Sequence, residues 1–320
     1  MLSTFRSIAL SVMQKYAEFS LEAAPSKPYP FDVEVLPTRD DLVDMWLPLE
    51  RERTAPLRSG TDTMARTCKL HGDTVFLKCI DLTTSSTANK TDFVAKLKEM
   101  KALRHKNIVE VHGVSLVVYS TTLCAAMEFM VQGSVLNVIY NKKTELSTKQ
   151  MWAMCLDIAE GLAYLHTDAK RAHGSLCTMH VLVNAAGICK LNVQAIVKAH
   201  VSVDAYGVME MAYRAPETLH GHLALDLTAR QAADMYALGV VFLQIFSRSQ
   251  PYAQIYAEHG YVRGDLRIAE AKATGGLAPF ATPTTWPADV ASVLTRCLAT
   301  EASARPSITE VVGIVSAQFA

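Results

Sequence analysis

The sequence predicts an α+β protein with two lobes of unequal size, the first rich in strands and the second rich in helices. Turn residues and short apolar stretches recur between Trp46 and Ile80, and apolar residues at helical spacing follow from Asp92 to Leu103. Beyond Gly133 the pattern becomes helical. The 320 residues, 50% hydrophobic and 19% charged, have room for about two such units and enough apolar surface to fold.

The elements of the first lobe follow from local signals. A turn at His71–Asp73 precedes an apolar run at Thr74–Ile80, which predicts a strand. Phe93, Val94, Leu97, Met100 and Leu103 keep the spacing of one helix face. Strand character returns from Ile108 to Val118. We therefore expect a meander of strands that is interrupted by one helix.

Three capping signals open the helices of the second lobe. Ser147 with Gln150 predicts a helix that continues to about His166. Thr228 with Gln231 predicts another, to about Phe246, and Ser307 with Glu310 predicts the last.

The chain before the main body divides into two short segments. Residues 1–24 carry apolar side chains in steps of three and four, which predicts an amphipathic helix. We expect this helix to pack on the domain or on a partner, or to mediate dimerisation, in preference to a mitochondrial presequence. Four prolines mark residues 25–40 as a linker. The main domain then covers 41–320, with lobes at about 41–130 and 131–320.

Charge and cysteine content exclude several classes of protein. Lys plus Arg and Asp plus Glu both number 31, so the chain has no net field to attract nucleic acid. The seven scattered cysteines, none in Cys-x-x-Cys, argue against a disulfide framework or a structural zinc site. The longest apolar run, Ala237–Phe246, is too short to span a bilayer. We expect a protein of the reducing cytoplasm without a transmembrane segment.

Seven short segments together resemble a eukaryotic protein kinase domain over about Trp46 to Phe319. In chain order they are Val75–Lys78, Leu103–Val109, Met127–Met130 with Gly133–Ser134, Gly161–His166, Tyr213–Glu217, Asp234–Gly239 and Arg305–Pro306. The amino-acid sequence of the second segment is similar to that found in the tyrosine-kinase-like branch of the family. The resemblance implies the bilobal protein kinase fold, with a small five-stranded antiparallel β lobe that carries one helix, and a larger, mainly α-helical lobe.

The resemblance also implies where a nucleotide would bind. Lys78 occupies the position of the ATP-binding lysine, and strand alternation places Phe76 on the same face, where the family has a small residue above adenine. Leu182 would be the floor of that site. The remaining residues of this nucleotide pocket are Arg58 and Gly60 of the glycine-rich loop, and Met127, Glu128 and Met130 of the gatekeeper and hinge.

The positions that carry phosphoryl transfer in the family are replaced here. Ser175 stands where the family has its aspartate base, and His180 and Val193 stand at the two Mg²⁺-ligand positions. Lys96 stands where an acid would pair with Lys78, although Glu99 could substitute after a rotation of the helix. The sequence therefore predicts no intact catalytic residue and no metal site.

Structural residues of the family are retained. Glu217 and Arg305 are expected to form a buried ion pair, Asp234 to cap the backbone of the catalytic loop, and His173 to lie in the core. A hydrolase nucleophile at Ser175 is disfavoured because no acid is placed to orient a histidine. His220, His222 and His259 are expected to face solvent, and a phosphate switch at Ser202 or Tyr206 is disfavoured, because Gly174 replaces the arginine that would bind it.

The leading functional hypothesis is a pseudokinase that acts in signalling as a scaffold or allosteric regulator, with signalling proteins, including an active kinase, as partners. The alternatives are a weakly active or atypical ATP-dependent protein kinase, and a protein that binds nucleotide without turnover. No cofactor is expected under the leading hypothesis: ATP binding is the alternative, and Mg²⁺ is disfavoured because imidazole and hydrocarbon are poor ligands for a hard cation.

Overall fold

The computed structural model describes residues 55–57, 63–81, 87–116, 122–141, 143–193, 211–219, 225–274, 279 and 286–319. The predicted N-terminal helix and linker, the loop residues Arg58 and Gly60, and the phosphate acceptors Ser202 and Tyr206 lie outside these ranges. The described residues form two compact units. The first holds those up to Arg104 and those from Glu110 to Phe129. The second holds His105–Val109 and the described residues from Met130 onwards.

The first unit contains a five-stranded antiparallel sheet with strand order β1-β2-β3-β5-β4. The elements in chain order are β1 (Ala55–Leu57), β2 (Thr63–Leu70), β3 (Asp73–Asp81), helix α1 (Thr87–Ala102), β4 (Val111–Leu116) and β5 (Thr122–Glu128). A two-residue turn joins β2 to β3, and His71 and Gly72 there have φ angles of 50° and 88°. Such positive values are typical of tight hairpins, because their twist matches that of the strands.

Alternation along β3 separates a buried face from a more open one. Val75 and Leu77 are 2% and 1% exposed and pack with buried residues of β2 and β5. Phe76 and Lys78 lie on the opposite face and are half-buried. On α1, Phe93, Leu97 and Met100 are buried, as the helical spacing of the sequence predicts.

The second unit is mainly helical. Its elements are α2 (Val135–Tyr140), α3 (Thr148–Ala163) continued by a π-helical turn (Tyr164–Asp168), the two-stranded sheet β6 (Val181–Val183) and β7 (Cys189–Leu191), a 3-10 turn (Pro216–Thr218), α4 (Leu227–Ser247), α5 (Ala253–Ala273), α6 (Ala288–Cys297), a second 3-10 turn (Ala302–Ala304), α7 (Ile308–Ser316) and a last 3-10 turn (Ala317–Phe319). The predicted α+β class with a five-stranded antiparallel sheet and a helical remainder is confirmed.

The capping predictions are confirmed at two of three helices. Ser147 and Gln150 form a reciprocal capping box at α3, and the Ser307 hydroxyl accepts the amide hydrogen of Glu310 at α7. The prediction for α4 is wrong, because the cap is Asp226, whose carboxylate accepts from the Ala229 amide. Thr228 lies inside that helix instead.

Asn107 anchors the segment His105–Val109 within the second unit. Its side-chain nitrogen donates to Asp157 on α3 at 2.9 Å and to the carbonyl of Cys189 on β7 at 3.0 Å. Its own carbonyl accepts from the amide of Leu191 at 2.8 Å. A Cβ atom at Gly161 would lie 2.7 Å from that carbonyl oxygen, so the close packing of α3 here requires glycine.

The described cysteine side chains differ in oxidation state. Cys68, Cys155, Cys177, Cys189 and Cys297 are reduced, whereas Cys124 on β5 is disulfide-bonded. The Cα of Cys79 lies directly opposite Cys124 in the ladder between β3 and β5. Strand pairing brings these two positions together, which their separation in sequence does not reveal. None of the described helices is long and apolar enough to cross a membrane.

Candidate functional site

Lys78 of β3 lies within electrostatic reach of a second lysine, Lys96 of α1. Lys78 lies between Ala65 of β2 and Ala125 of β5 in the sheet. Burial, and secondarily the positive charge of Lys96 on α1, lower the pKa of Lys78 to about 8. Glu99, the possible substitute acid, is exposed. The electrostatics at Lys78 therefore favour loss of its proton, the opposite of what an acid partner would do.

Phe76 shares this face of the sheet with Lys78. Its Cα is paired with Thr67 of β2 and Met127 of β5. Met127 is buried and Glu128 is half-buried, and the amide of Glu128 donates to the carbonyl of Glu110 at 2.9 Å. Of the predicted pocket residues, Phe76, Lys78 and Met127 therefore lie on one face of the sheet, whereas Glu128 is paired with Val75 of the other face.

The other two pocket residues belong to the second unit. Met130 is 7% exposed and its carbonyl accepts from the amide of Gly133 at 2.9 Å. Leu182 lies on β6, where it pairs with Lys190 of β7 and forms a bridge with Ser134.

Asp234 holds the backbone of the segment His173–His180 in place. This aspartate, on α4, is 2% exposed. Its carboxylate accepts the amide hydrogens of His173 at 2.7 Å and Gly174 at 2.8 Å, and it lies 2.9 Å from Nε2 of His166. A single buried carboxylate therefore fixes the start of this loop to the centre of the helical unit.

His173 is a core residue. It is 5% exposed, and burial lowers its pKa to about 4 despite the opposing charge of Asp234. Its Nδ1 accepts a long hydrogen bond, 3.4 Å, from the Ser175 amide, and its Nε2 has no partner among the described residues. The neutral imidazole is thus the stable form near pH 7.

The side chains at the two positions that the resemblance assigns to Mg²⁺ ligands carry no oxygen atom. Nδ1 of His180 donates to the carbonyl oxygen of Ser175 at 2.6 Å, and the His180 ring stacks on that of His173 with centroids 6.5 Å apart. Val193, at the other Mg²⁺-ligand position, is 1% exposed and carries only hydrocarbon. Within the described ranges, no group of three or more His, Cys, Asp or Glu side chains could hold a metal ion.

Glu217 and Arg305 form the ion pair that the sequence predicts. The guanidinium donates to both carboxylate oxygens, at 2.6 and 2.7 Å, and the Arg305 side chain is 1% exposed. It also donates to the carbonyls of Ala232 and Ala299 and lies 5.3 Å from the ring centroid of Tyr236.

Sequence reasoning missed two buried polar groups. Gln244 on α4 connects Thr178, Tyr213 and Tyr140 through side-chain hydrogen bonds. Lys272 on α5 is almost fully buried. A polar residue within an apolar helix run is a signal that could have revealed Gln244, whereas a lysine on an amphipathic helix normally indicates a solvent-facing position.

Of the other three histidines that are expected to face solvent, one lies within the described residues. His259 is half exposed to solvent beside Glu258, with 3.9 Å between Nε2 and the carboxylate. His220 and His222 lie outside the described residues, as do Gln194 and Ala195 next to Val193.

Comparison with known proteins agrees with the fold. The family described as "protein tyrosine and serine/threonine kinase" matches residues 57–315. Mitogen-activated protein kinase kinase kinase 7 of Bos taurus is 25% identical over 239 residues, which is 72% of this chain and 38% of that protein. Cyclic GMP-binding protein C of Dictyostelium discoideum is 24% identical over 72% of this chain and 9% of its own length.

A third relative, mitogen-activated protein kinase kinase kinase dlk-1 of Caenorhabditis briggsae, is 30% identical over 164 residues, which is half of this chain and 18% of that protein. The chain thus spans well under half the length of these curated relatives. Because the family match covers most of the sequence and the fold agrees with it, the chain belongs to the protein tyrosine and serine/threonine kinase family.

Proposed function

We propose that this member of the kinase family is catalytically inactive and acts in signalling as a scaffold or allosteric regulator through protein contacts. The proposal depends mainly on what the segment His173–His180 retains and what it has lost. Asp234 holds its backbone in place, while Ser175 and His180 replace the side chains that phosphoryl transfer requires. Two of the relatives are named mitogen-activated protein kinase kinase kinases, which supports signalling proteins, including an active kinase, as partners.

The base position supports inactivity. A serine hydroxyl near pH 7 cannot accept the proton of an attacking hydroxyl as a carboxylate can, and the loss of a positioned general base costs about 10² to 10⁴ in rate. Ser175 is exposed, and its backbone carbonyl is hydrogen-bonded to His180.

The metal-ligand positions support the same conclusion. Mg²⁺ prefers oxygen ligands in octahedral geometry, and neither the imidazole of His180 nor the side chain of Val193 supplies one. Lys96 beside Lys78 adds a second positive charge where the family has an acid that orients the lysine. These replacements affect the base, the metal ligands and the lysine separately, so a single compensating change would not restore activity.

Purified protein is expected to transfer no phosphate from radiolabelled ATP to itself or to generic protein substrates, with Mg²⁺ or with Mn²⁺. The reason is the absence of both the base and the metal ligands. Lys78→Met is the matched control, and it should not change the background. Incorporation that the parent shows and Lys78→Met abolishes would overturn the proposal.

Nucleotide binding without turnover is the second candidate, and Lys78 favours it because it keeps a cation at the position that contacts phosphate in the family. Against it stands Phe76, whose ring lies on the same face of β3. We expect a thermal-shift titration of the parent with ATP to be flat, with and without metal. A ligand at 100 times its dissociation constant would instead stabilise the protein by about 2.7 kcal/mol.

Phe76→Ala separates the two explanations for a flat titration. If only this variant is stabilised by ATP, the phenyl ring blocks the adenine position. If the parent itself is stabilised, the second candidate holds and the pocket is not blocked.

A further inference from the structure

Lys272 is a charged side chain buried inside the second unit. It lies one residue before the end of α5 and is 2% exposed. A lysine is rarely buried without compensating contacts, because its ammonium group loses its hydration. The contacts that compensate for the burial of the Lys272 amine therefore indicate the role of this residue.

Three backbone carbonyls surround the Lys272 amine. Nζ donates to the carbonyl oxygens of Met211 at 2.7 Å, Ala212 at 2.8 Å and Arg214 at 2.7 Å. An ammonium group has three N–H donors and a neutral amine has two, so the side chain donates to this segment in either form. All three acceptors come from four successive residues, which Ala215 separates from the 3-10 turn at Pro216–Thr218.

Two aromatic rings complete the surroundings of the amine. Nζ lies 4.9 Å from the ring centroid of Tyr236 on α4 and 5.5 Å from that of Tyr252, just before α5. Both distances are within the range of cation–π attraction. The segment Met211–Arg214 is therefore connected through one side chain to the two longest helices of the described chain.

The charged groups around Lys272 come from each neighbouring element. Burial lowers the pKa of Lys272 most, Arg214 of the segment lowers it further, and Asp265 of α5 raises it; Tyr256 donates to that aspartate at 2.8 Å. Arg305, paired with Glu217, lies over the Tyr236 ring. Burial outweighs these charges and lowers the pKa of Lys272 to about 7.

We propose that Lys272 is a positioning residue that fastens the segment Met211–Arg214 to helices α4 and α5 and makes the release of this segment depend on pH. This inference goes beyond the proposed function and does not depend on it, since an active kinase could contain the same device.

The direction of the pH dependence follows from proton linkage. In the fastened state the pKa of Lys272 is lowered to about 7, whereas release returns the amine to water and to its ordinary value of 10.5. Between these values the released state binds more protons, so release becomes easier as pH falls from 10.5 to 7 and changes little below that. One linked proton changes the equilibrium by up to about tenfold per pH unit.

Limited proteolysis at Arg214 measures this release. The Arg214 side chain is exposed, but trypsin needs an extended backbone, so it cleaves the bond to Ala215 only when the segment detaches. We measure the initial cleavage rate of the full chain at pH 7 and pH 9, each divided by the rate for a reference peptide at that pH. The ratio for the parent should be more than about tenfold higher at pH 7.

Variants of Lys272 separate positioning from a general effect on stability. Lys272→Met leaves the three carbonyls without a donor, so at pH 9 it should be cleaved at least about tenfold faster than the parent, with equal normalised rates at both pH values. Lys272→Arg restores the donors but stays charged at both pH values, so its normalised rate should not depend on pH and should lie near that of the parent at pH 7. Lys149→Met, on the exposed first turn of α3, should behave as the parent does.

A parent that is cleaved equally at both pH values, or faster at pH 9, would contradict the proposal, as would a Lys272→Met variant that keeps the parent's rate or its pH dependence. If circular dichroism shows that Lys272→Met does not fold, pulsed hydrogen exchange on the parent decides instead. After correction for intrinsic rates, protection of the amides of Ala212–Arg214 should increase from pH 7 to pH 9, and constant protection would overturn the proposal.

Discussion

Arg305→Met should lower the free energy of unfolding by about 3 to 5 kcal/mol, because removal of one partner from a buried ion pair leaves the other charge uncompensated. The Arg305 side chain is 1% exposed and donates to both oxygens of Glu217. The variant also deprives the carbonyls of Ala232 and Ala299 of a donor. Urea denaturation followed by circular dichroism measures the change.

The matched control is an ion pair of similar geometry at the surface. Arg296 donates to both carboxylate oxygens of Glu310, at 2.6 and 3.2 Å, but the two side chains are 47% and 38% exposed. Arg296→Met should have a far smaller effect, because water and salt screen exposed pairs. Equal losses in the two variants would show that burial does not determine the strength of the Glu217–Arg305 pair.

Local signals predict most of the elements, because capping and strand alternation depend on neighbouring residues. The box at Ser147 and Gln150 needs only residues three positions apart, and the turn before β3 needs only His71 and Gly72. The wrong cap at α4 has a local cause as well. Asp226 and Thr228 are both residue types that cap helices well and lie two residues apart, so the sequence pattern does not decide which of them is the N-cap.

The residues of the candidate site also fall into two groups, those that the sequence indicates and those that only the packing of the elements brings together. Alternation on β3 places Phe76 and Lys78 on one face, and the resemblance assigns Lys96 by its distance from the segment Leu103–Val109, so these residues could be found from sequence. The contact between His166 and Asp234 joins residues 68 positions apart and depends on how α3 packs against α4. Lys272 shows the limit most clearly. Its buried amine donates to three backbone carbonyls about 60 positions earlier in the sequence, and the residue pattern of its own helix does not indicate these partners.

The family residues that this chain retains differ in role from those that it replaces. Asp234 and Arg305 are buried and hydrogen-bond to backbone groups, and the half-buried Glu217 pairs with Arg305, so their loss would destabilise the fold. Ser175 and His180 stand where the family has side chains that act on substrate or metal, and their replacement leaves those backbone contacts intact. The proposed function rests on this division between retained structural contacts and replaced side chains.

Asp234→Ala should lower the free energy of unfolding by at least about 3 kcal/mol, because hydrogen bonds to a charged group contribute about 1.5 to 3 kcal/mol each. The variant leaves the amides of His173 and Gly174 without their acceptor and removes the partner of His166. Denaturant unfolding measures the total effect. Hydrogen exchange at the His173 and Gly174 amides shows whether the loop is the part that loosens.

Two variants on the same helix make this result specific to the loop. Asp226→Ala removes only the cap of α4 and should cost about 1 kcal/mol, without affecting exchange at His173 and Gly174. Asp234→Asn keeps the shape of the side chain but loses its charge and one acceptor oxygen, so its stability should lie between those of the parent and Asp234→Ala. If Asp234→Ala is no less stable than Asp226→Ala, or if exchange at the two loop amides stays slow, Asp234 does not hold this segment, and the argument that the loop is kept for structure loses its main support.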